Sequence, residues 1–453
     1  MENREEKMKA NKISYSCAVS RFIMPFIMLA SLLVLLNSGC NWIWGGRTFK
    51  EGHLKYAVRT KDRASKTGTV SVRAVSKKIS GDVEIPASVA KGGINYSVAE
   101  ISRDAFYSCS NLTSVIIPDS VTSMDNYAFC GCSGLTGAVI GNSVTSIGNW
   151  AFAECSGLTN IVIPDGVTSI GLGVFEDCSS LESVIIPDSV TSITRLAFSG
   201  CSALTGIVIP DSVTEIGSQA FCGCSNLTSI IIPDGVTSIE KEAFADCSSL
   251  TEIVAGNNNP KYSSLDGVLF NKDQTTLIQF PGGKSGAYTV PDSVTSIGLQ
   301  AFSGCSALTG IVIPDSVVSI GDWTFYGCTS LTSAVIGNSV TSIGGEAFAD
   351  CSSLTSITIP NSVTEIGGYA FHHCSSLENI IIPDSVTEIG RHAFQGCGRL
   401  TDVYFKGNAP NLPEGDAFFF PSVIHYKPGT TGWTNPRDGR PTWSGTLTTE
   451  WVE

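Results

Sequence analysis

The most reactive side chains in this 453-residue sequence are those of its sixteen cysteines. Cysteine forms disulfides in exported proteins, and it binds zinc where paired cysteines or histidines lie close together. Twelve of the cysteines recur every 23 residues within two blocks: Cys109, Cys132, Cys155, Cys178, Cys201, Cys224 and Cys247, then Cys305, Cys328, Cys351, Cys374 and Cys397. Their spacing decides between these chemistries and a structural role.

The fixed spacing favours a ladder of buried thiols. In a stack of 23-residue turns, equivalent Cα atoms lie about 4.8 Å apart, but parallel side chains hold the Cβ atoms beyond the ~3.8 Å of a disulfide. A buried thiol then packs as a small apolar residue. The pairs Cys130/Cys132 and Cys222/Cys224 are the best exceptions, as sites of local oxidation. Neither pair has another C-x-C pair or a histidine close by in the sequence to complete a zinc site.

Other chemistry-bearing residues form weaker patterns. His372, His373 and His392 surround Cys374 in sequence, but they occupy variable positions and indicate a solvated cluster rather than a metal site. The sequence contains no nucleophile elbow, H-E-x-x-H motif, phosphate-binding loop or dinucleotide-binding motif. We therefore expect no catalytic residue, no metal and no cofactor.

A carbohydrate-active enzyme is the remaining catalytic alternative. Its sugar subsite would lie near the C-terminus and be lined by Trp433, Trp443 and Tyr426.

A row of acidic residues follows the proline that ends each repeated apolar run. Neighbouring carboxylates in such a row would attract a cation or a basic partner, but Asn replaces Asp in several repeats, which favours turn capping. The Asp positions are 119, 165, 188, 211, 234, 292, 315 and 384, and the Asn positions are 142, 338 and 361.

These patterns rest on a repeat that covers most of the chain. Phenylalanine precedes each register cysteine by three residues, at 106, 129, 152, 175, 198, 221 and 244, and then at 302, 325, 348, 371 and 394. A fixed 23-residue period over twelve copies indicates a solenoid whose units contact only their neighbours.

Each repeat predicts one turn of this solenoid. In "LTNIVIP", Leu158, Ile161 and Ile163 have the spacing of a strand with one buried face, and Pro164 followed by Asp165 ends that strand in a turn. The residues "SI" near the end of the repeat fit a second short extended segment. The preceding "AFAEC" fits a short helical or 3₁₀ corner.

One strand position points away from the predicted core and is nevertheless apolar in nearly every repeat. High strand propensity explains part of this choice, but a continuous stripe exceeds the apolar area that most monomers expose. The stripe is therefore either a partner-binding face or covered by another part of the chain. Its members are Ile116, Val139, Val162, Ile185, Val208, Ile231, Val254, Val312, Val335, Thr358, Ile381 and Tyr404.

The pattern A-F-x-x-C-S-x-L, then L-x-x-I-x-I-P and D-[SG]-V-T-[SE]-I-G, resembles the BspA-like, treponemal-type bacterial leucine-rich repeats across about residues 96–405. The resemblance implies a leucine-rich repeat solenoid with a parallel β-sheet. It also implies a surface-exposed or secreted binding protein, some of whose relatives are adhesins. It specifies no ligand.

The flanking segments give the expected domain organisation. Residues 1–40 resemble a signal peptide, and "NSGC" ending at Cys40 resembles a lipoprotein processing site, although Asn37 replaces the usual leucine. Residues 41–95 fit an N-terminal β cap, 96–405 the solenoid and 406–453 a C-terminal cap. Residues 255–293 break the register and are interpreted as an enlarged repeat rather than an inserted domain.

The net charge of the chain limits the classes of partner that it is expected to bind. The formal net charge is −13 and basic clusters are short, so nucleic acid is not an expected partner. The favoured function is non-catalytic binding of a protein or glycan at the cell surface or outer membrane, with a lipid anchor at Cys40 or, alternatively, secretion. A passive or self-associating envelope protein is the runner-up.

Overall fold

The computed structural model describes residues 48–412, 417 and 423–433, together with the backbone of Thr442–Trp443 and Thr446–Glu450. The chain divides between Phe244 and Ala245 into two compact units. Each unit is a β-solenoid built largely from short parallel strands. The signal-like residues 1–40, including Cys40, lie outside the described residues.

The first unit contains seventeen described strands. They are β1 (Thr48–Glu51), β2 (Leu54–Asp62), β3 (Thr67–Ala74), β4 (Ser80–Glu84), β5 (Ser88–Lys91), β6 (Ile94–Ile101), β7 (Asn111–Ile116), β8 (Ser123–Met124), β9 (Gly137–Val139), β10 (Ser146–Ile147), β11 (Asn160–Val162), β12 (Ser169–Ile170), β13 (Ser183–Ile185), β14 (Ser192–Ile193), β15 (Glu215–Ile216), β16 (Ser229–Ile232) and β17 (Ser238–Ile239).

The described strands of the second unit continue the numbering. They are β18 (Glu252–Ala255), β19 (Tyr262–Leu265), β20 (Val268–Asn271), β21 (Thr276–Gln279), β22 (Gly286–Thr289), β23 (Ser296–Ile297), β24 (Leu308–Val312), β25 (Ser319–Ile320), β26 (Ser333–Val335), β27 (Ser342–Ile343), β28 (Ser356–Thr358), β29 (Glu365–Ile366), β30 (Asn379–Ile382), β31 (Glu388–Ile389), β32 (Asp402–Phe405), β33 (Val423–Tyr426), β34 (Thr442–Trp443) and β35 (Thr446–Glu450).

Most turns contribute one strand to each of two parallel ladders. In the first ladder Ile161 of β11 pairs with Val184 of β13, one 23-residue step along the chain. In the second ladder Ile193 of β14 pairs with Ile216 of β15, again one step along. Because the register is constant, side chains of the same repeat position form continuous rows.

The core of each unit is organised around a column of stacked phenylalanines. Ring centroids of consecutive phenylalanines lie 4.9 Å apart for Phe106 and Phe129 and 5.8 Å apart for Phe152 and Phe175, with nearly parallel planes. The repeat leucines and the two inward strand residues pack beside this column and are almost all buried. Offset stacking lets aromatic rings of successive turns fill the same position without a void.

The corners beside this column are turns, and the predicted helical or 3₁₀ corners are wrong for the described residues. In all twelve repeats the residues two before and two after the phenylalanine have positive φ, as Trp150 (55°) and Glu154 (58°) do beside Phe152. Left-handed residues at both positions stop a right-handed helix within one turn. Glycine at 131, 200, 223, 304, 327 and 396 was the sequence signal for this geometry.

Residues 255–293 of the second unit combine a hairpin with a turn of solenoid. Strands β19, β20 and β21 form an antiparallel meander. Strand β21 then pairs in parallel with β23, and β22 pairs in parallel with β24. Phe280 stacks on Phe302 at 5.0 Å and so begins the phenylalanine column of this unit.

The two ends extend the ladders with different strands. At the N-terminal end β1, β2 and β3 are antiparallel, β3 pairs in parallel with β6, and β6 pairs in parallel with β8 of the solenoid. At the C-terminal end β32, β33 and β35 continue a parallel sheet from β30.

Candidate binding surface

The register cysteines form a buried ladder of thiols. The Sγ of Cys178 donates a hydrogen bond to the carbonyl oxygen of Phe152 at 3.1 Å, and Cys201 repeats this contact with Phe175 at 3.2 Å. Burial raises the pKa of both thiols well above its ordinary value, and it raises the pKa of Cys224 to about 12. Such thiols are poor nucleophiles and serve packing.

Cys130 and Cys132, the first C-x-C pair, are both free thiols. Both side chains are buried. Burial, followed by the Glu154 carboxylate, raises the pKa of Cys130 to about 12. In the second pair both side chains are completely buried; Cys224 is a free thiol, whereas Cys222 is disulfide-bonded.

The histidine cluster is a surface arrangement. The rings of His372 and His373 lie 4.0 Å apart between centroids, and His373 Nδ1 is 3.6 Å from Asp350 Oδ1. Tyr369 contacts His372 and His392 edge to face. Within the described part of the chain, no group of histidine, cysteine and carboxylate side chains has the arrangement of a metal site.

Trp433 does not line an open sugar subsite. Its side chain is only 3% exposed and packs against Phe405 and Tyr426, with centroid distances of 4.8 and 5.5 Å. Its Nε1 donates to Thr430 Oγ1 at 2.8 Å. The predicted subsite is therefore wrong for Trp433, whose ring closes the core of the second unit. The Trp443 side chain lies outside the described structure.

The aspartates that follow the strand-ending proline cap the next turn where the structure records their contacts. Asp119 Oδ1 accepts a hydrogen bond from the backbone N of Asn142 at 2.7 Å, and Asp315 Oδ1 accepts one from the backbone N of Asn338 at 2.6 Å. Each bond spans one repeat, which supports turn capping over cation binding at these positions.

A second polar contact joins two corners of the first unit. Trp150 stacks on Tyr127 at 5.3 Å and donates from Nε1 to Glu176 Oε2 at 2.8 Å. Burial raises the pKa of Glu176 to about 7, although the Trp150 hydrogen bond opposes this rise. The carboxylate therefore titrates near neutral pH.

The apolar stripe of the first unit faces solvent. Its exposed fractions range from 45% at Ile116 to 81% at Val208. Val139 and Ile231 are also more than half exposed. No other described part of the chain covers these side chains.

In the second unit the residue type and the solvent exposure at the stripe position vary more. Val254, Val312, Val335 and Ile381 are exposed, and Thr358 is exposed and polar. Tyr404 differs because it is half-buried and stacks on the His425 ring at 4.5 Å. The stripe of the second unit is thus interrupted, whereas that of the first unit is continuous.

The strand face beside the first-unit stripe carries small uncharged residues. Two positions before each stripe residue stands Ser, Gly or Asn, at 114, 137, 160, 183, 206 and 229. Beside them Thr136 and Thr159 donate from Oγ1 to the carbonyl of the threonine one turn earlier, at 3.0 and 3.2 Å. These flanking positions are regular and mostly uncharged, apart from the exposed Glu182, while exposed aspartates such as Asp165 and Asp188 lie three residues beyond the stripe.

The sequence model of the BspA type leucine rich repeat region matches residues 88–205, 173–285 and 279–401, which together cover more than half of the chain. The chain belongs to the BspA-type leucine-rich repeat family. This finding confirms the predicted family and the predicted leucine-rich repeat solenoid.

Solved structures of bacterial proteins agree with this BspA-type assignment. A leucine-rich cell surface protein from Faecalibacterium prausnitzii A2-165 is 35% identical, with a TM-score of 0.70, and the match covers 80% of this chain and 95% of that one. A leucine-rich repeat protein from Bacteroides ovatus ATCC 8483 is 27% identical, with a TM-score of 0.58 and coverages of 89% and 100%. The pneumococcal vaccine antigen PcpA, 20% identical with a TM-score of 0.64 and coverages of 90% and 99%, shares the fold.

A search of curated proteins found no match to this BspA-type chain. Over the described residues, no helix has the length and apolar character that crossing a bilayer requires.

Sequence reasoning missed one group of residues. Thr251, Glu252, Asp266, Gly267, Lys284 and Tyr288 line a hollow of about 640 Å³ in the second unit. Three of them replace small or aliphatic repeat residues with charged or aromatic ones, and this departure from the repeat was the signal available in the sequence.

Proposed function

We propose that this BspA-type protein is an exported surface protein that binds another protein through the apolar stripe of its first unit. The observation that carries the proposal is the solvent exposure of that stripe, which reaches 81% at Val208. Single exposed aliphatic residues are ordinary, but an ordered row of six, one per turn, is typical of an interaction surface.

The chemistry of the face favours a protein surface over a glycan as its occupant. Val162, Ile185 and Ile231 offer no hydrogen bond to a hydroxyl-rich ligand. The serine, glycine and asparagine residues two positions before each stripe residue are small and uncharged. A partner with an apolar surface would bury these aliphatic side chains at the centre of the interface and leave the neighbouring aspartates at its rim.

Location at the cell surface belongs to the same proposal. The F. prausnitzii relative is described as a cell surface protein. The first 40 residues here have the pattern of an export signal ending at Cys40. A lipid on Cys40 would hold the solenoid at the envelope, where an adhesion role is chemically reasonable and requires no catalysis.

Binding is tested with a two-residue variant of the stripe. Ile185→Lys together with Ile231→Lys places two charges on the face, two turns apart. We expect a partner identified on an array of purified extracellular and bacterial surface proteins to lose at least tenfold in affinity, because binding would bury unpaired ammonium groups. Biolayer interferometry measures the change.

The matched control carries the same charges elsewhere. Thr191→Lys with Thr237→Lys has the same 46-residue separation, and both threonines are exposed. This variant should bind as the wild type does. Equal loss in both variants, or no captured partner, would refute the proposal. Loss of self-association alone, seen by analytical ultracentrifugation with partner capture intact, would favour the rival structural role.

A further inference from the structure

The hollow in the second unit lies where the chain departs from its repeat. It forms beside the β19–β20 hairpin, whose Asp266 (φ 50°) and Gly267 (φ 77°) make a tight left-handed turn. The carbonyl oxygen of Gly267 accepts a hydrogen bond from the N of Ile253 at 2.8 Å, which holds the turn against β18. The hollow has a volume of about 640 Å³ and is open to solvent on one side, where Thr251, Glu252 and Asp266 are exposed.

Three of the residues that line this hollow replace small or aliphatic repeat residues with charged or aromatic ones. Glu252 stands where the other repeats carry Ser, Gly or Asn, apart from Asp402. Lys284 follows Phe280 by four residues, where most repeats have serine. Tyr288 pairs with Ile311 and occupies its inward strand position. Substitutions from a repeat that converge on one concavity indicate a site, since insertions in repeat proteins often carry the binding face.

The ring of Tyr288 is fixed and its hydroxyl stays protonated. It lies 4.9 Å from the Phe280 ring and 6.3 Å from the Phe302 ring, both tilted against it. Partial burial, with a smaller effect of the Asp266 carboxylate, raises its pKa to about 12. The phenol is therefore a hydrogen-bond donor at any physiological pH, with a partly apolar ring beside it.

The hollow combines acceptors and donors at close quarters. Glu252 and Asp266 supply carboxylate acceptors, Lys284 supplies an ammonium donor, and Thr251 and Tyr288 supply hydroxyl groups. Sugar hydroxyls donate to carboxylates and accept from ammonium and phenol groups, while the C–H face of a pyranose packs on an aromatic ring. A single cationic ligand would satisfy the carboxylates but would face Lys284.

We infer that this hollow binds a neutral saccharide, at the scale of one or two sugar residues of a longer glycan. The site is separate from the apolar stripe of the first unit and does not depend on the proposed protein partner.

The test uses the full chain and a panel of neutral sugars: glucose, galactose, mannose, N-acetylglucosamine and their β-1,4-linked disaccharides. Isothermal titration calorimetry should show at least one of these binding at about 1 mM or tighter. Glu252→Ser and Lys284→Ser, which install typical repeat residues, should each weaken that binding at least tenfold. Tyr288→Phe keeps the ring and should weaken it several-fold.

Two controls make the outcomes decisive. Glu182→Thr installs a typical repeat residue in the first unit and should leave sugar binding unchanged, as should the stripe variant Ile185→Lys with Ile231→Lys. The inference is overturned if no sugar saturates the protein at about 50 mM, or if the hollow variants bind as the wild type does. Preferential binding of N-acetyl-arginine amide would also overturn it. Circular dichroism confirms that each variant is folded.

Discussion

At the residue scale, the side chains that promised most chemistry serve the scaffold. Cysteine suits its corner because it is small and apolar and carries a donor for the phenylalanine carbonyl of the preceding turn, as Cys178 does for Phe152. Glu176 is the exception, since its carboxylate is held largely away from water beside Trp150. It gives the first unit a dependence on pH that the repeat alone would not have.

Glu176→Gln should remove part of this dependence. The folded-state pKa of Glu176, about 7, lies above its unfolded value, so stability is highest at low pH and falls as pH rises between about 4.5 and 7. Glutamine keeps an oxygen to accept from Trp150 Nε1 but carries no charge. We expect urea unfolding to show the variant about 2 kcal/mol more stable than wild type at pH 8 and nearly equal at pH 4.5.

The exposed Glu182→Gln is the matched control for this pH measurement. It should leave the pH profile of the wild type unchanged. A Glu176→Gln variant whose advantage is the same at both pH values would show that burial of the charge is not the cause.

At the scale of the element, the corner is a turn, although the sequence predicted a short helical or 3₁₀ corner. Each phenylalanine has a left-handed residue two positions before it and another two positions after it. Before Phe175 this residue is Gly173, with a φ of 60°. The Trp150 indole packs directly over Gly173, so that a Cβ would overlap Nε1. Corner geometry and the aromatic stack above it therefore depend on each other.

Gly173→Ala should destabilise the first unit by about 1 to 3 kcal/mol, because it adds left-handed strain and a clash with Trp150. Its control is Gly137→Ala in β9, where no atom lies within 4 Å of the added Cβ and φ is not positive. That change should cost nothing or stabilise by a few tenths of a kcal/mol. Urea unfolding of both variants measures the difference, and equal effects would argue against the strain.

At the scale of the whole molecule, binding capacity arises from repetition. Each turn contributes one residue to the stripe. The constant register of the turns aligns Val139, Val162 and Ile185 into a surface. Because the repeat is so regular, residues that differ from its pattern indicate a separate role, as those of the hollow beside β19 and β20 do. A surface role also requires a connection to the envelope, which the proposed function places at Cys40.

Anchoring predicts that cells fed labelled palmitate incorporate the label into this protein. Cys40→Ala should abolish the incorporation and release the protein from the membrane fraction, because the thiol is the only group on which that lipid would be built. Cys17→Ala, which also removes a cysteine from the N-terminal segment, should keep the label. Labelling that survives Cys40→Ala would refute lipidation at this residue.

The sequence by itself determined the period, the strand pattern and the identity of the buried rows, since Phe152, Leu158, Ile161 and Ile163 recur at spacings that only a stacked turn can bury together. It also predicted the stripe, because alternation fixes which strand residues face outward. It did not determine the corners, since residues such as Trp150 and Glu154 adopt positive φ only when neighbouring turns hold them there.

A duplicated segment shows what only the tertiary structure decided. The residues "AFSGCSALTGIVIPDSV" occur at 197–213 and again at 301–317. In the second copy Leu308–Val312 forms β24, paired on both sides, and Val312 is 39% exposed. In the first copy residues 205–209 form no strand and Val208 is 81% exposed. Strand pairing and exposure are set by the neighbouring turns, whose residues lie about 23 positions away, so a local sequence cannot fix them.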